Sequence, residues 1–215
     1  MNVFSNSLFA EKYDRFYETA QGRAIDNLEK EIILKHIDGI TRGSVLEMGC
    51  GTGHWTDFLS RQGFKVTAID ESEPMLSIAE NKNIENAAFI KADAKNLPFG
   101  GQCFTAIVSV TMLEFVDNLK MVMEEIDRLL IPGGHLVLGC LNDLSELGKK
   151  RYEDEVYKYA RFFTSSEVER LLSSFGTPRM SYAVYYSPEF ELLDGTDRQN
   201  SVEPAFIAAS VKKIK

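Results

Sequence analysis

The chain has 215 residues, with 32 Asp and Glu against 24 Lys and Arg and a formal charge of −8. That length suffices for one α/β domain with a sizeable core, and the acidic balance argues against a groove that tracks phosphates, so no nucleic acid partner is expected. Three scattered cysteines, Cys50, Cys103 and Cys140, make no C-x-x-C pair; neither a disulfide framework nor a metal site is expected, and a reducing, cytoplasmic setting is.

The opening stretch MNVFSNSLFAEKYDRFYE carries acids and aromatics early, unlike a signal peptide, and no apolar run approaches the ~18 residues of a membrane span. Ile25, Leu28, Ile32 and Ile33 recur at helical spacing within residues 23–39, with Gly39 as the stop. A strand over Ser44–Met48 leads into a glycine turn and a helix from His54 to about Gln62. A second strand, Lys65–Ile69, precedes Ser72-Glu73-Pro74, which opens a helix with proline in its first turn. Strands follow at Ala87–Lys91 and Phe104–Val110, then a helix over about Asn118–Leu130. Pro132-Gly133-Gly134 breaks the chain before a strand at His135–Cys140. Beyond it we expect a helical stretch, Ser145–Ala160, and a capping box at Thr164–Glu167. Two late strands near Arg179–Tyr186 and Ala205–Lys212 flank an irregular loop, Ser187–Pro204. The basic run Lys212–Lys215 reads as a solvated tail. Alternating strands and helices predict a mainly parallel sheet.

The segment VLEMGCGTG, Val45–Gly53, carries most information. Its glycines Gly49, Gly51 and Gly53 permit a sharp turn and a close backbone approach to a ligand. Unpaired N–H groups of the following helix, with Thr52 and Gly53 at its start, face that turn. Asp70 closes the second strand 21 residues beyond Gly49, near the ~20-residue offset of an acid that holds a ribose. A dinucleotide fingerprint would place Gly or Ala at position 54, where this chain has His54. Glu47 adds a carboxylate before the turn, which would repel a pyrophosphate and suits a cationic ligand.

These residues resemble motif I of the class I S-adenosylmethionine-dependent methyltransferases. The order of AIDES (68–72), ADAKNLPF (92–99), FTAIVSVTMLEF (104–115) and LLIPGGHLVLG (129–139) resembles the small-molecule branch that contains the ubiquinone and menaquinone biosynthesis enzymes. YDRFYET and ARFFTSSEVERLL look like that branch too. The resemblance implies a single-domain Rossmann-like α/β fold over residues 1–215. Its sheet would be mostly parallel and seven-stranded, with an antiparallel last strand and helices on both faces. Residues 1–22 would form a lid, 40–140 the cofactor-binding core, and 141–215 the substrate-side helices and last two strands.

The cofactor implied is S-adenosylmethionine and the partner a small-molecule methyl acceptor, with methyl transfer by in-line displacement. Asp70 takes the ribose hydroxyls, Glu71 follows it, and Met75 packs on the adenine. Asp93 accepts from the adenine amino group, with the Ala94 N–H reaching a ring nitrogen. Glu47 orders the turn at the methionine end. Ser109, Val110 and Thr111 form the floor near the sulfonium. Tyr13 and Tyr17 belong to the lid. His54 reads as a supporting position on its helix, with no acid–base pair evident. Neither an NPPY-type tetrapeptide nor Pro-Cys follows the fourth strand. A nicotinamide-dependent dehydrogenase, a cofactor-binding regulator without turnover, and methylation of a protein or RNA partner are the alternatives. The acceptor and the oligomeric state stay open.

Overall fold

The computed structural model describes residues 3–5, 7–193 and 202–214. Helix α1, Ser7–Glu18, leads into α2, Ala20–Ile37, whose first turn is capped by the Thr19 side chain accepting from the Gly22 N–H. Then come β1 (Ser44–Met48), α3 (His54–Arg61), β2 (Lys65–Asp70), α4 (Glu73–Asn81), β3 (Ala87–Lys91) and β4 (Phe104–Val110). Helix α5 (Leu119–Leu129), β5 (Leu130–Leu141), α6 (Glu146–Lys150) and α7 (Ser165–Ser173) follow. The chain finishes with β6 (Arg179–Ala183), the short pair β7 (Tyr185–Tyr186) and β8 (Leu192–Leu193), and β9 (Phe206–Lys212).

Seven strands make one sheet in the order β3-β2-β1-β4-β5-β9-β6. All pairs among β3, β2, β1, β4 and β5 are parallel, and β9 runs antiparallel between β5 and β6. The Rossmann-like methyltransferase architecture is present. Because successive side chains leave a strand on opposite faces, the sheet feeds two cores. Val45, Val66, Val108 and Val137 pack under Ile25, Ile33, Trp55 and Leu76 of α2, α3 and α4. Leu46, Ile69, Ile107 and Leu138 pack against Val122 and Ile126 of α5 and Leu172 of α7. Burial on both faces is why these strands read as apolar runs without alternation.

Strand order reverses between β1 and β4, the switch point at which such sheets leave a crevice beyond the strand carboxyl ends. The residues just past β1, β2, β3 and β4 therefore meet in one place. Ser72 caps α4 through its hydroxyl, which accepts from the Met75 N–H, and Thr164 and Glu167 form the expected capping box on α7.

Four local expectations need correction. Pro132-Gly133-Gly134 does not delay β5, which starts at Leu130; the ladder pairs Leu130 with Phe104 and resumes at His135 with Ala106. Residues 131–134 bulge outward, and Gly133 and Gly134 exchange backbone hydrogen bonds with Lys213. The stretch 145–160 holds only the short α6 and two 3₁₀ turns, Arg151–Glu153 and Tyr157–Tyr159. The strand expected near Arg179–Tyr186 breaks at Val184, whose φ is +57°, a conformation a β-branched residue adopts only under tertiary constraint. Finally, Lys213 is buried, with its ammonium group 2.9 Å from Asp127 Oδ1 and donating to Leu130 O. Residues 194–201 of the irregular loop and Lys215 lie outside the described residues.

Candidate active site

A cavity of about 340 Å³ opens at the carboxyl ends of β1, β2, β3 and β4. Gly49 and Gly51 form one wall, Ile69, Asp70, Glu71 and Met75 the next, Asp93 and Ala94 a third, and Val110 and Thr111 the floor. Phe4 and Tyr13 line it from the N-terminal segment. Thus the structure brings together Gly49, Gly51, Asp70, Glu71, Met75, Asp93, Ala94, Val110, Thr111 and Tyr13 from sites up to about a hundred residues apart.

Glu47, Thr52, Gly53, Ser109 and Tyr17 stand behind that lining. Glu47 leaves β1 on the α3 side and accepts from Thr56 Oγ1 at 2.6 Å, which ties strand to helix. Thr52, fully buried, donates its hydroxyl to Asp14 Oδ1 at 2.5 Å. Gly53 precedes α3 with φ +83°, and a Cβ there would meet Ala79 Cβ at 3.2 Å. Ser109 is buried in β4 and its hydroxyl has no hydrogen-bond partner among the described residues. Tyr17 lies flat on the His54 ring, centroids 3.7 Å apart. His54 Nε2 sits 2.7 Å from Asp26 Oδ1 and 3.0 Å from Lys30 Nζ. Burial alone would raise the Asp26 carboxyl, but hydrogen bonds from His54 and Lys30 hold it below its ordinary range.

Asp70 shapes the turn as well as facing the cavity. Its Oδ2 accepts from the Gly51 N–H and its Oδ1 from the Ser72 N–H, both at 2.8 Å. Burial raises its carboxyl, and those N–H bonds pull it back. An ionised carboxylate has about four acceptor sites, so these bonds leave capacity for a ribose hydroxyl. A Cβ on Gly51 would meet nothing within 4 Å, so open space faces the turn. Lys95 is the cation in the lining, and it is bonded to Asp117 Oδ1 at 2.8 Å. Carboxylates thus outnumber cations around the cavity, which fits a sulfonium and ammonium compound and disfavours a pyrophosphate.

The sequence did not single out Met112, Phe115 or Val116, which also line the cavity, together with Phe4 and Tyr159. Met112 and Phe115 follow the end of a central strand, a position that marks ligand sites in such sheets. Phe4 reaches the rim through contacts no local pattern encodes: its carbonyl accepts from Ser72 Oγ at 2.6 Å and its ring meets Phe115 edge-on.

Two further carboxyls stand out. Glu29 projects from α2 between Ile25 and Ile33, on the helix's buried side, yet it has no hydrogen-bond or ion-pair partner among the described residues. Glu114, in the 3₁₀ turn after β4, is 2% exposed; Oε1 accepts from the Leu141 N–H at 2.7 Å and Oε2 has no hydrogen-bond partner among the described residues. Burial pushes Glu29 and Glu47 up to about 8 and Glu114 to about 7.

Those shifts have a sign. Above pH ~5 the unfolded chain has released these protons while the folded chain retains them, so stability falls as pH rises toward 8. Buried His36, lowered to about 4 by desolvation, acts oppositely but is neutral in both states above its ordinary value. Between pH 6.5 and 8 we therefore expect the protein to lose on the order of 4 kcal/mol of stability, read as a falling thermal midpoint. Glu47→Gln should flatten part of that slope. A midpoint that stays level or rises across this interval would contradict the burial of these carboxyls.

Residues 46–138 match the methyltransferase-domain family model. Over 219 aligned positions the chain is 32% identical to an uncharacterized protein of Methanocaldococcus jannaschii, covering all of both. It is 29% identical over 157 residues to the malonyl-[acyl-carrier protein] O-methyltransferase of Hamiltonella defensa, covering 69% of this chain and 60% of that one. A solved S-adenosylmethionine-dependent methyltransferase from Thermotoga maritima, described as a possible histamine N-methyltransferase, superposes with a TM-score of 0.74 at 25% identity, over 96% of this chain and 97% of that one.

Proposed function

Because this chain belongs to the class I S-adenosylmethionine-dependent methyltransferases, we propose that it methylates a small molecule by direct in-line displacement within the described cavity. The observation that carries this reading is that Phe4 and Tyr13 of the N-terminal segment line the cavity beside the strand ends, which suits a compact acceptor. Bound S-adenosylmethionine supplies an already activated methyl group. The chain's own task is then alignment and exclusion of water, which can account for ~7–11 kcal/mol of a barrier when the reacting groups are well placed.

Asp70 holds the ribose, with Glu71 beside it. Met75 packs on the adenine, and Asp93 and the Ala94 N–H read its edge. Gly49 and Gly51 let the backbone approach the methionine end, while Glu47, Thr52 and Gly53 keep the turn in shape from behind. Val110 and Thr111, backed by Ser109, form the floor, and Tyr13, steadied by Tyr17, forms the roof. The three unpaired cysteines support a reducing compartment. No helix among the described residues is long and apolar enough to cross a membrane.

The test is to incubate the protein with methyl-labelled S-adenosylmethionine and a cell extract separated into small-molecule and macromolecular fractions. Label is expected in the small molecules. Label confined to protein or RNA would overturn the acceptor class.

A further inference from the structure

The loop that follows β3 is held in place from outside the cavity. Asp93, Ala94 and Lys95 of this loop line the cavity. The Ala92 N–H donates to Asp70 O at 3.0 Å, which ties the loop's start to the end of β2. Asp93 then folds the chain back on itself: its Oδ1 accepts from the Lys95 N–H at 2.9 Å and its carbonyl from the Asn96 N–H at 3.0 Å. The other end of the loop is gripped from α5. Glu125 Oε2 accepts from the Leu97 N–H at 2.8 Å. Arg128 Nη2 donates to Leu97 O at 3.2 Å and Nη1 to Phe99 O at 2.8 Å. The two side chains are locked together as well, with Arg128 Nε donating to Glu125 Oε1 at 2.6 Å and Nη2 to Glu125 Oε2 at 2.7 Å.

A helix-surface ion pair contributes little to stability by itself, yet this one directs its hydrogen bonds at the backbone of Leu97 and Phe99. The planar fork of an arginine can meet a carboxylate and two carbonyls at once, which a lysine cannot. The turn from Asp93 to Leu97 is short and bonded within itself, so a shift at Leu97 carries the Asp93 carboxylate and the Ala94 N–H with it. Asp93 Oδ2 lies 3.7 Å from Lys95 Nζ, beyond a hydrogen bond, and keeps acceptor capacity for a ligand. Resting on the reading above that Asp93 and the Ala94 N–H meet the adenine edge, we propose that Glu125 and Arg128 are positioning residues for recognition of the cofactor's base: the clamp sets where that carboxylate and that N–H stand, and so makes the site selective for a 6-aminopurine. Adenine offers a 6-amino donor and a bare N1. Hypoxanthine offers a 6-oxo acceptor and an N1–H, the reverse of both, so a correctly placed Asp93 and Ala94 reject it. A loop free to drift by about an ångström loses that distinction, while the contacts supplied from the ends of β1 and β2 stay in place.

The test is calorimetric titration of the full chain with S-adenosylhomocysteine and its deaminated analogue, S-inosylhomocysteine. The wild type should prefer the adenine compound by at least about thirtyfold, since two hydrogen bonds are replaced by two like-group encounters. Arg128→Gln should lower that preference to within about fivefold, mainly by weakening the adenine compound. The milder Arg128→Lys, which keeps the charge and loses the fork, should lower it in the same direction. Lys213→Met separates positioning from stability. It breaks the pair between the buried Lys213 and Asp127 of the same helix, and should lower the thermal midpoint with the preference unchanged. A wild-type preference that survives in both Arg128 variants, or that falls as far in Lys213→Met, overturns the positioning role and leaves the methyltransferase reading intact. A wild type that binds the two compounds equally overturns the adenine assignment of Asp93 and Ala94 and the clamp's role with it. One that binds neither overturns the methyltransferase reading itself.

Discussion

Deleting residues 1–18 is expected to leave a folded domain and to reduce methyl transfer by about a hundredfold, the scale expected when alignment and water exclusion are lost together. The sheet and both cores lie beyond the deletion, and the cut spares Thr19, whose side chain caps α2. What goes is the roof. Phe4 and Tyr13 leave the cavity wall. Asp14, which accepts from Thr52 and pairs with Lys82 at 2.6 Å, no longer straps α1 across the glycine turn and the end of α4. Tyr17 leaves the His54 ring. Each contact is individually modest, so the element suits opening for product release. Circular dichroism should retain the wild-type signal apart from one helix, and S-adenosylmethionine should bind more weakly by tenfold or more. A truncated protein with unchanged turnover would show that the N-terminal segment is not a lid; an unfolded one would show that it is scaffold.

Gly49→Val is expected to remove cofactor binding. Gly49 has φ +75°, and a Cβ there would lie 2.1 Å from Met112 Cγ and 2.5 Å from Met112 Cβ. Met112 cannot swing clear, because its own Cβ is in the way. The left-handed backbone costs a branched residue about 1–2 kcal/mol and the overlap about 1–3 more. Against a total of about 5–15 kcal/mol for a domain, the protein should fold with a lower midpoint, but the turn and the β4 end must separate. Cofactor affinity should drop by at least about a hundredfold, since both walls of the cavity move. Near-normal binding in this variant would mean that the turn does not contact the cofactor. Gly51→Ala is the control: nothing lies within 4 Å of its Cβ, so its effect should come from backbone strain and the ligand alone.

Much of this was legible because the informative residues report local physics. Strands β1, β2 and β4 are apolar runs buried on two faces and β3 is a half-buried edge strand, and each was placed to within a residue. Gly49, Asp70 and Asp93 fall at strand ends, where a parallel sheet has to present them together. The late region was harder. Val184 interrupts β6 through tertiary constraint, and the β5 bulge answers to Lys213, some eighty residues away. Phe4 meets Ser72 across 68 residues. Glu29 was the least visible of all: an acid at helical spacing between Ile25 and Ile33 looks like an ordinary surface residue until the helix is docked and that face is found to be buried.

The measurement that bears most directly on the account is calorimetric titration of the wild type and Asp70→Ala with S-adenosylmethionine, S-adenosylhomocysteine and NAD. The expected result is one site for the two sulfur compounds and none for NAD. Asp70→Ala should lose more than about tenfold in affinity, the equivalent of about 1.5–3 kcal/mol for charged hydrogen bonds. Its loss also frees the Gly51 and Ser72 N–H groups that Asp70 now binds. Unchanged affinity in Asp70→Ala, or NAD binding more tightly than S-adenosylmethionine, would contradict it.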